Sequence, residues 1–201
     1  MEIYIIGAGG NSKVVIDICN LLNYKILGLF DDHPPKQSYQ RYAIAGKIDD
    51  IKQYSDINII NSIGDNNTRY KIYQKLEHLK LNWINCIHPQ SYMAPSCQIG
   101  MGNVICYGSF INSDAILGDF NLINTYAIIE HDCKIGHFNH IAPRTTLCGA
   151  VIVGNLNLLG ASTTIIPGKI IGNENVIGAS TVIISNFGNN QRIVGIPGKE
   201  K

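Results

Sequence analysis

Residues 121–147 read NLINTYAIIEHDCKIGHFNHIAPRTTL. Every sixth residue from Ile123 is aliphatic: Ile123, Ile129, Ile135, Ile141, Leu147. The frame extends in both directions. Upstream it meets Leu117, Ile111, Ile105, Ile99, Met93 and Ile87. Downstream it meets Val153, Leu159, Ile165, Ile171, Ile177 and Ile183, which makes 17 consecutive aliphatic or Met positions. With about a third of residues aliphatic, chance gives such a run on the order of once in 10⁸.

The residue two before each of these positions is mostly small, or is Asn, as at Asn103, Asn121, Asn139, Asn157 and Asn175. The residue after it is often Gly. A period of six suits neither a helix of 3.6 residues per turn nor a two-residue alternation. It suits a coil of triangular section. Each hexapeptide supplies one flat strand and one corner, and three make a rung of 18 residues. The aliphatics point inward and stack, small residues fit the corners, and glycine tolerates the backbone angles that corners demand. The coil is expected from about Asn85 to about Ser185, over five rungs. The frame ends at Asn189, where an aliphatic is due, and the tail RIVGIPGKEK is expected to leave the coil.

Upstream the pattern changes. MEIYIIGAGGNSKVVIDICNLL reads as an apolar strand, a glycine turn and a helix with an apolar stripe of Val14, Val15, Ile18, Leu21 and Leu22. KILGLFDD is a second strand, and INIINSIGDNNTRY a third that leads into a helix from about Asn67 to His78. LNWINCIH is a last strand entering the coil. Strand–helix alternation implies a small parallel α/β sheet. The chain therefore divides into an α/β domain, 1–82, and a solenoid with its tail, 83–201.

A net charge of +1, with 15% charged residues and no basic block, gives no footprint for nucleic acid. No segment approaches the roughly 20 apolar residues of a membrane helix, and MEIYIIGAGG lacks the features of a signal peptide. Six cysteines without a C-x-x-C pair read as reduced thiols of a cytoplasmic protein.

GAGGNS, from Gly7 to Ser12, lies between a strand and a helix. Backbone N–H groups of such a turn can approach a phosphate, and the helix N-terminus attracts negative charge. Asp31 and Asp32 end the next strand, where a carboxylate can accept from a ribose or a base edge, and Gly64 ends the third strand near the same crevice. Position 12 is Ser and no third glycine follows, so a dinucleotide is not expected. A nucleotide or sugar nucleotide is. The plain alternative is a tight turn whose aspartates cap or face water.

Three of the six histidines, His131, His137 and His140, fall in the quoted stretch. His131 follows Ile129 by two, at a corner, and should project outward. One rung on, Gly149 presents a backbone N–H on the same edge. His137 holds the same hexapeptide position at the next corner, and His140 precedes Ile141 near a strand end. Metal ligands stacked along an edge should recur by rungs, yet one rung from His131 lie Ser113 and Gly149, and two rungs away Pro95 and Pro167. No metal is expected. A general base, or surface histidines on a scaffold, remain as readings.

GAGGNSKVV, FDD, SIGDNNTR, IIEHDCKIG, the six-residue repeat and VGIPGK together resemble one family across nearly the whole chain. It is the hexapeptide-repeat sugar-nucleotide acetyltransferases, which include bacillosamine N-acetyltransferases and sialic-acid O-acetyltransferase-like proteins. The resemblance implies a Rossmann-like sugar-nucleotide domain followed by a left-handed parallel β-helix, with acetyl-CoA as co-substrate and a homotrimeric assembly. It implies His131 as the base, Asp132 as the acid that raises its basicity, and Gly149 as the oxyanion donor. Acetyl-CoA contacts map onto His140, Ala161 and Ala179, and substrate contacts onto Gly9, Gly10, Asn11, Asp31, Asp32 and Gly64. Many relatives carry His at the position of Asn11. The implied activity is acetylation of the amino group of a nucleotide-linked amino sugar, favouring a UDP-4-amino-4,6-dideoxy sugar. The alternatives are sugar O-acetylation and a non-catalytic sugar-nucleotide-binding scaffold. Direct transfer needs no acyl-enzyme, so Cys133 and Cys148 read as small corner residues. Lys169 and Lys199 could meet CoA phosphates or simply be solvated.

Overall fold

The computed structural model describes residues 1–34, 38–39 and 41–201. The first domain holds β1 (Glu2–Ile6), α1 (Gly10–Leu21), β2 (Lys25–Phe30), β3 (Ser38–Tyr39), β4 (Tyr42–Gly46), β5 (Asn58–Asn61), α2 (Asn66–Leu76) and β6 (Asn82–Trp83). A 3₁₀ turn occupies Ile48–Gln53. The sheet order is β3-β4-β2-β1-β5-β6, parallel except for the β3–β4 pair. The order reverses at β1, so its carboxyl end opens onto a crevice, and the glycine turn sits there. Ile3, Ile5 and Ile6 of β1 and Ile59 and Ile60 of β5 are fully buried, as central parallel strands covered on both faces require. The helix stripe differs from the expected one. Val15, Ile16, Ile18 and Cys19 are buried, whereas Val14 and Leu21 are exposed. The hairpin-like β3–β4 and the 3₁₀ turn carried no strong periodic signal and were not expected.

LNWINCIH is two strands and not one. Asn82–Trp83 closes the α/β sheet, and Cys86–Ile87 begins the coil. From there two-residue strands recur every six residues and pair in parallel with the strand 18 residues away, as Ile105 does with Ile123 and Ile129 with Leu147. They form three flat faces of a left-handed parallel β-helix. Face one holds the strands ending at Ile87, Ile105, Ile123, Ile141, Leu159 and Ile177. Face two holds those ending at Met93, Ile111, Ile129, Leu147, Ile165 and Ile183. Face three holds those ending at Ile99, Leu117, Ile135, Val153 and Ile171. From Ile105 to Ile183 the aliphatics of the frame form one continuous buried core, with Ile87, Met93 and Ile99 partly buried against it.

The corners correct the expectation about glycine. The left-handed backbone falls three residues after each inward aliphatic, mostly on non-glycine residues such as Asp114, Phe120, Tyr126, Asp132 and Phe138. The glycines directly after the aliphatics serve close approach between rungs: a Cβ on Gly118 would lie 2.7 Å from the Gly136 carbonyl oxygen. The buried asparagines form a ladder at the corner between faces three and one. The Asn139 side chain donates to the Gly154 carbonyl, and its Oδ1 accepts the Asn157 N–H. Asn103, Asn121, Asn157 and Asn175 repeat the arrangement, which satisfies corner groups that strands cannot reach.

The tail stays on the coil for one more strand, contrary to expectation. Arg192–Val194 pairs in parallel with Val176–Ile177, and Lys199–Glu200 folds back antiparallel. The repeat has lost two residues there: Val176 pairs with Arg192, 16 positions on. A fixed six-residue frame therefore misses it.

Candidate active site

The corner between faces two and three carries Glu130, His131, Asp132 and, one rung on, Gly149. Asp132 adopts φ 62°, and this left-handed turn brings its Oδ2 to 2.8 Å from His131 Nδ1. The bond to Asp132 raises the imidazole pKa above its ordinary value. The pairing leaves Nε2 as the free end of the ring. That end lies over Gly149, where a Cβ would come within 2.7 Å of Nε2 and 2.6 Å of Cε1. Both His131 and Asp132 are exposed, so a bound molecule can reach the ring. Glu130 accepts from the Asn112 amide at 2.7 Å. A cavity of about 580 Å³ runs across face two from Tyr126 and Arg144 past Phe110 and Ile128 to Glu130.

His140 stands elsewhere. It projects from face one, and the whole width of face three separates it from His131. Its Nε2 lies 3.2 Å from Asn124 Nδ2. With Gly64, Asp65, Leu156 and Glu174 it lines a crevice of about 200 Å³ between the two domains. Burial, aided by the Arg69 charge, pushes its pKa down to about 4, so the ring is neutral at neutral pH. Ala161 and Ala179 sit at a third place, the corner between faces one and two, stacked so that Ser180 N–H donates to the Ala161 carbonyl. Within one chain the structure therefore joins His131, Asp132 and Gly149, and joins His140 to Gly64. It does not join these groups to each other or to the two alanines.

His137 belongs to neither group. Its Nδ1 accepts the Asp119 N–H at 2.9 Å, and its own N–H donates to Asn155 Oδ1. Asn155 and Asn173 make the same rung-to-rung link farther along. His137 thus fills an asparagine's place in an outer ladder.

In the first domain the indispensable glycine is Gly7, which sequence reasoning passed over. It has φ 102°, and a Cβ there would meet Ile63 Cδ1 at 2.8 Å and Ser62 Oγ at 2.9 Å. Its signal was its place directly after the apolar strand. A Cβ on Gly9 or Gly10 would meet nothing within 4 Å, so the turn is open toward solvent. Asp31 takes the Ala8 N–H on Oδ2 and the His33 N–H on Oδ1, both at 2.7 Å. Asp32 takes the Ile48 N–H. Asp31 braces the glycine turn and Asp32 the start of the 3₁₀ turn, and each carboxylate oxygen keeps a second lone pair for a ligand. Asn11 donates to the Ser62 carbonyl at 2.9 Å, and its Cβ lies near Gly64. Lys199 is exposed on the last strand. All six cysteines are free thiols. Among the described residues no helix is long and apolar enough to cross a membrane, and no cluster of three or more His, Cys, Asp or Glu could hold a metal ion.

Residues 2–76 match the family model described as the PglD N-terminal domain. The structure of PerB from Caulobacter crescentus, in complex with CoA and GDP-perosamine, is 31% identical. That match covers 100% of this chain and 97% of PerB, with a TM-score of 0.93. The acetyltransferase domain of PglB from Neisseria gonorrhoeae, in complex with acetyl coenzyme A, is 26% identical over 100% of this chain and 98% of that one, with a TM-score of 0.94. An uncharacterised protein of Acanthamoeba polyphaga mimivirus is 41% identical over 123 residues, 61% of this chain. That match spans 25% of the viral protein's length.

Proposed function

This chain belongs to the hexapeptide-repeat sugar-nucleotide acetyltransferases, and we propose that it transfers the acetyl group of acetyl-CoA to the amino group of a nucleotide-linked amino sugar. The favoured acceptor is a UDP-4-amino-4,6-dideoxy sugar. The likeness to an enzyme bound to GDP-perosamine makes GDP the second nucleotide to try. The single observation that supports the chemistry is the His131–Asp132 pair at 2.8 Å with the free ring nitrogen above Gly149.

The acceptor amine attacks the thioester carbonyl carbon and a C–N bond forms. His131 Nε2 takes the proton that the amine sheds, while Asp132 holds Nδ1–H and stabilises the imidazolium. The Gly149 N–H receives the carbonyl oxygen as it gains charge. The C–S bond then breaks, and the CoA thiolate leaves and is protonated by the imidazolium. No acyl-enzyme forms and no metal is needed. The sugar nucleotide rests on the turn of Gly9, Gly10 and Asn11, with Asp31, Asp32 and Gly64 around it.

The enzyme works as a cytoplasmic homotrimer with acetyl-CoA held between two copies, at Ala161, Ala179 and His140 of the coils. Two features support the assembly. His131 and the alanines leave different corners of one chain. Apolar side chains such as Phe110, Ile116, Ile152 and Ile170 stand exposed on the flat faces.

The test is thiol release from acetyl-CoA with a panel of UDP- and GDP-linked amino sugars. His131→Ala should lower the rate by roughly 10²–10⁴. An unchanged rate in that variant would remove His131 as the base. No turnover on any amine would remove N-acetylation.

A further inference from the structure

Arg69 belongs to the segment SIGDNNTR, which the substrate site otherwise uses only through Gly64. It is 2% exposed, on the buried side of α2. Its six hydrogen bonds go to no carboxylate. On the α/β side Nη1 donates to the carbonyls of Ile63 and Gly64, at 2.9 and 3.1 Å. On the coil side Nε donates to the Phe120 carbonyl at 2.9 Å, and Nη2 to those of Phe138 and Asn139 at 3.1 and 3.2 Å. Nη2 also donates to Asn66 Oδ1 at 2.7 Å, and the Asn66 amide reaches on to the Asn157 carbonyl.

A buried cation without an anion is costly unless every donor is met. Here the donors are met by the backbone of two domains at once. The turn ending β5 supplies one set of carbonyls. Two stacked coil corners, at Phe120 and at Phe138–Asn139 immediately before His140, supply the other. Aromatic packing of Tyr70 and Tyr73 on Phe120 and Phe138 closes the same joint. A planar fork is suited to this, because one rigid group fixes several acceptors in a set geometry. A lysine has the charge but not the fork.

We propose that Arg69 is a positioning residue that locks the Ile63–Gly64 turn to the coil corner carrying His140, and so sets the sugar nucleotide's position relative to the acetyl donor. This rests on the functional reading above for what the turn and His140 bind. The clasp itself does not.

Arg69→Lys and Asn66→Ala test it. In ligand-free protein, hydrogen exchange at the amides of residues 62–64 should quicken at least tenfold in Arg69→Lys, with the amides of β1 and β2 unchanged. A uniform rise across the fold, or no rise, overturns the clasp. In steady-state kinetics the KM for sugar nucleotide should rise at least tenfold while the KM for acetyl-CoA stays within twofold. Equal changes in both, tracking only a lower melting temperature, overturn the positioning role. If Arg69→Lys does not fold, Asn66→Ala decides by the same readouts, with a rise of at least threefold expected at the turn and in that KM. No change there overturns the proposal. If the wild-type protein acetylates no sugar nucleotide, the functional reading fails while the exchange experiment still scores the clasp.

Discussion

Replacing Gly149 with Ala puts a methyl carbon 2.6 Å from His131 Cε1 and 2.7 Å from Nε2. Ordinary contact starts at 3.4 Å, so the ring must retreat by the difference between 3.4 and 2.6 Å, about 0.8 Å. Asp132 holds the other side of the ring at 2.8 Å. The ring must therefore either lengthen that bond or leave its rotamer, at a cost of about 0.5–1.5 kcal/mol. A reacting group displaced by about 1 Å loses on the order of 10² in rate, which corresponds to about 2.7 kcal/mol on the barrier. The backbone of Gly149 lies outside the left-handed region, so alanine fits the chain conformation itself. Replacing a glycine by alanine at a compatible position changes stability by about 0.4–1 kcal/mol, a shift of roughly 1–4 °C for a chain of this size. Thiol release and thermal melting should therefore part company: kcat falls about 10²-fold and the melting temperature barely moves. A kcat within twofold of wild type would refute the argument that His131 acts from above Gly149.

Asp132→Asn should move the acid limb of the kcat/KM profile. The Asp132 carboxylate raises the His131 pKa, and the proposed base works in its neutral form, so activity should climb as pH rises through that pKa. Losing the carboxylate lowers the pKa and shifts the limb to lower pH. The plateau should fall by less than the roughly 10²–10⁴ carried by the base itself. A limb that stays in place breaks the link between the pair and the rate. His137→Asn should leave turnover unchanged and stability within about 0.5 kcal/mol, because asparagine makes the same rung-to-rung bond at Asn155 and Asn173. Urea melts and thiol release check this, and a tenfold loss of kcat would give His137 a part in the chemistry.

Much of the coil was legible because its rules are local. Each inward aliphatic meets the residue 18 positions away, and the same step predicted that His131 and Gly149 share an edge. The misses came where that local rule stops. The two-residue loss before Arg192 hid the last strand of face one. His137 is the exception: it obeys the 18-residue step, its ring accepting from Asp119 one rung back, but a histidine in an asparagine's place carries no sign of that bond. Gly7 was overlooked in favour of Gly9 and Gly10, since only the packing of Ile63 and Ser62 against it reveals which glycine is sterically required.

The sequence by itself determined the repeat, the three-faced coil and the α/β domain before it, because periodic burial is encoded at short range, whereas the pairing of His131 with Asp132 came from the family resemblance and the left-handed turn at Asp132 makes it. Only the tertiary structure decided that His140 faces Gly64 across a domain joint and that Arg69 closes it. Those contacts join residues about 70 positions apart, as Arg69 and Asn139 are. They depend on how two separately patterned domains dock, which no periodicity records.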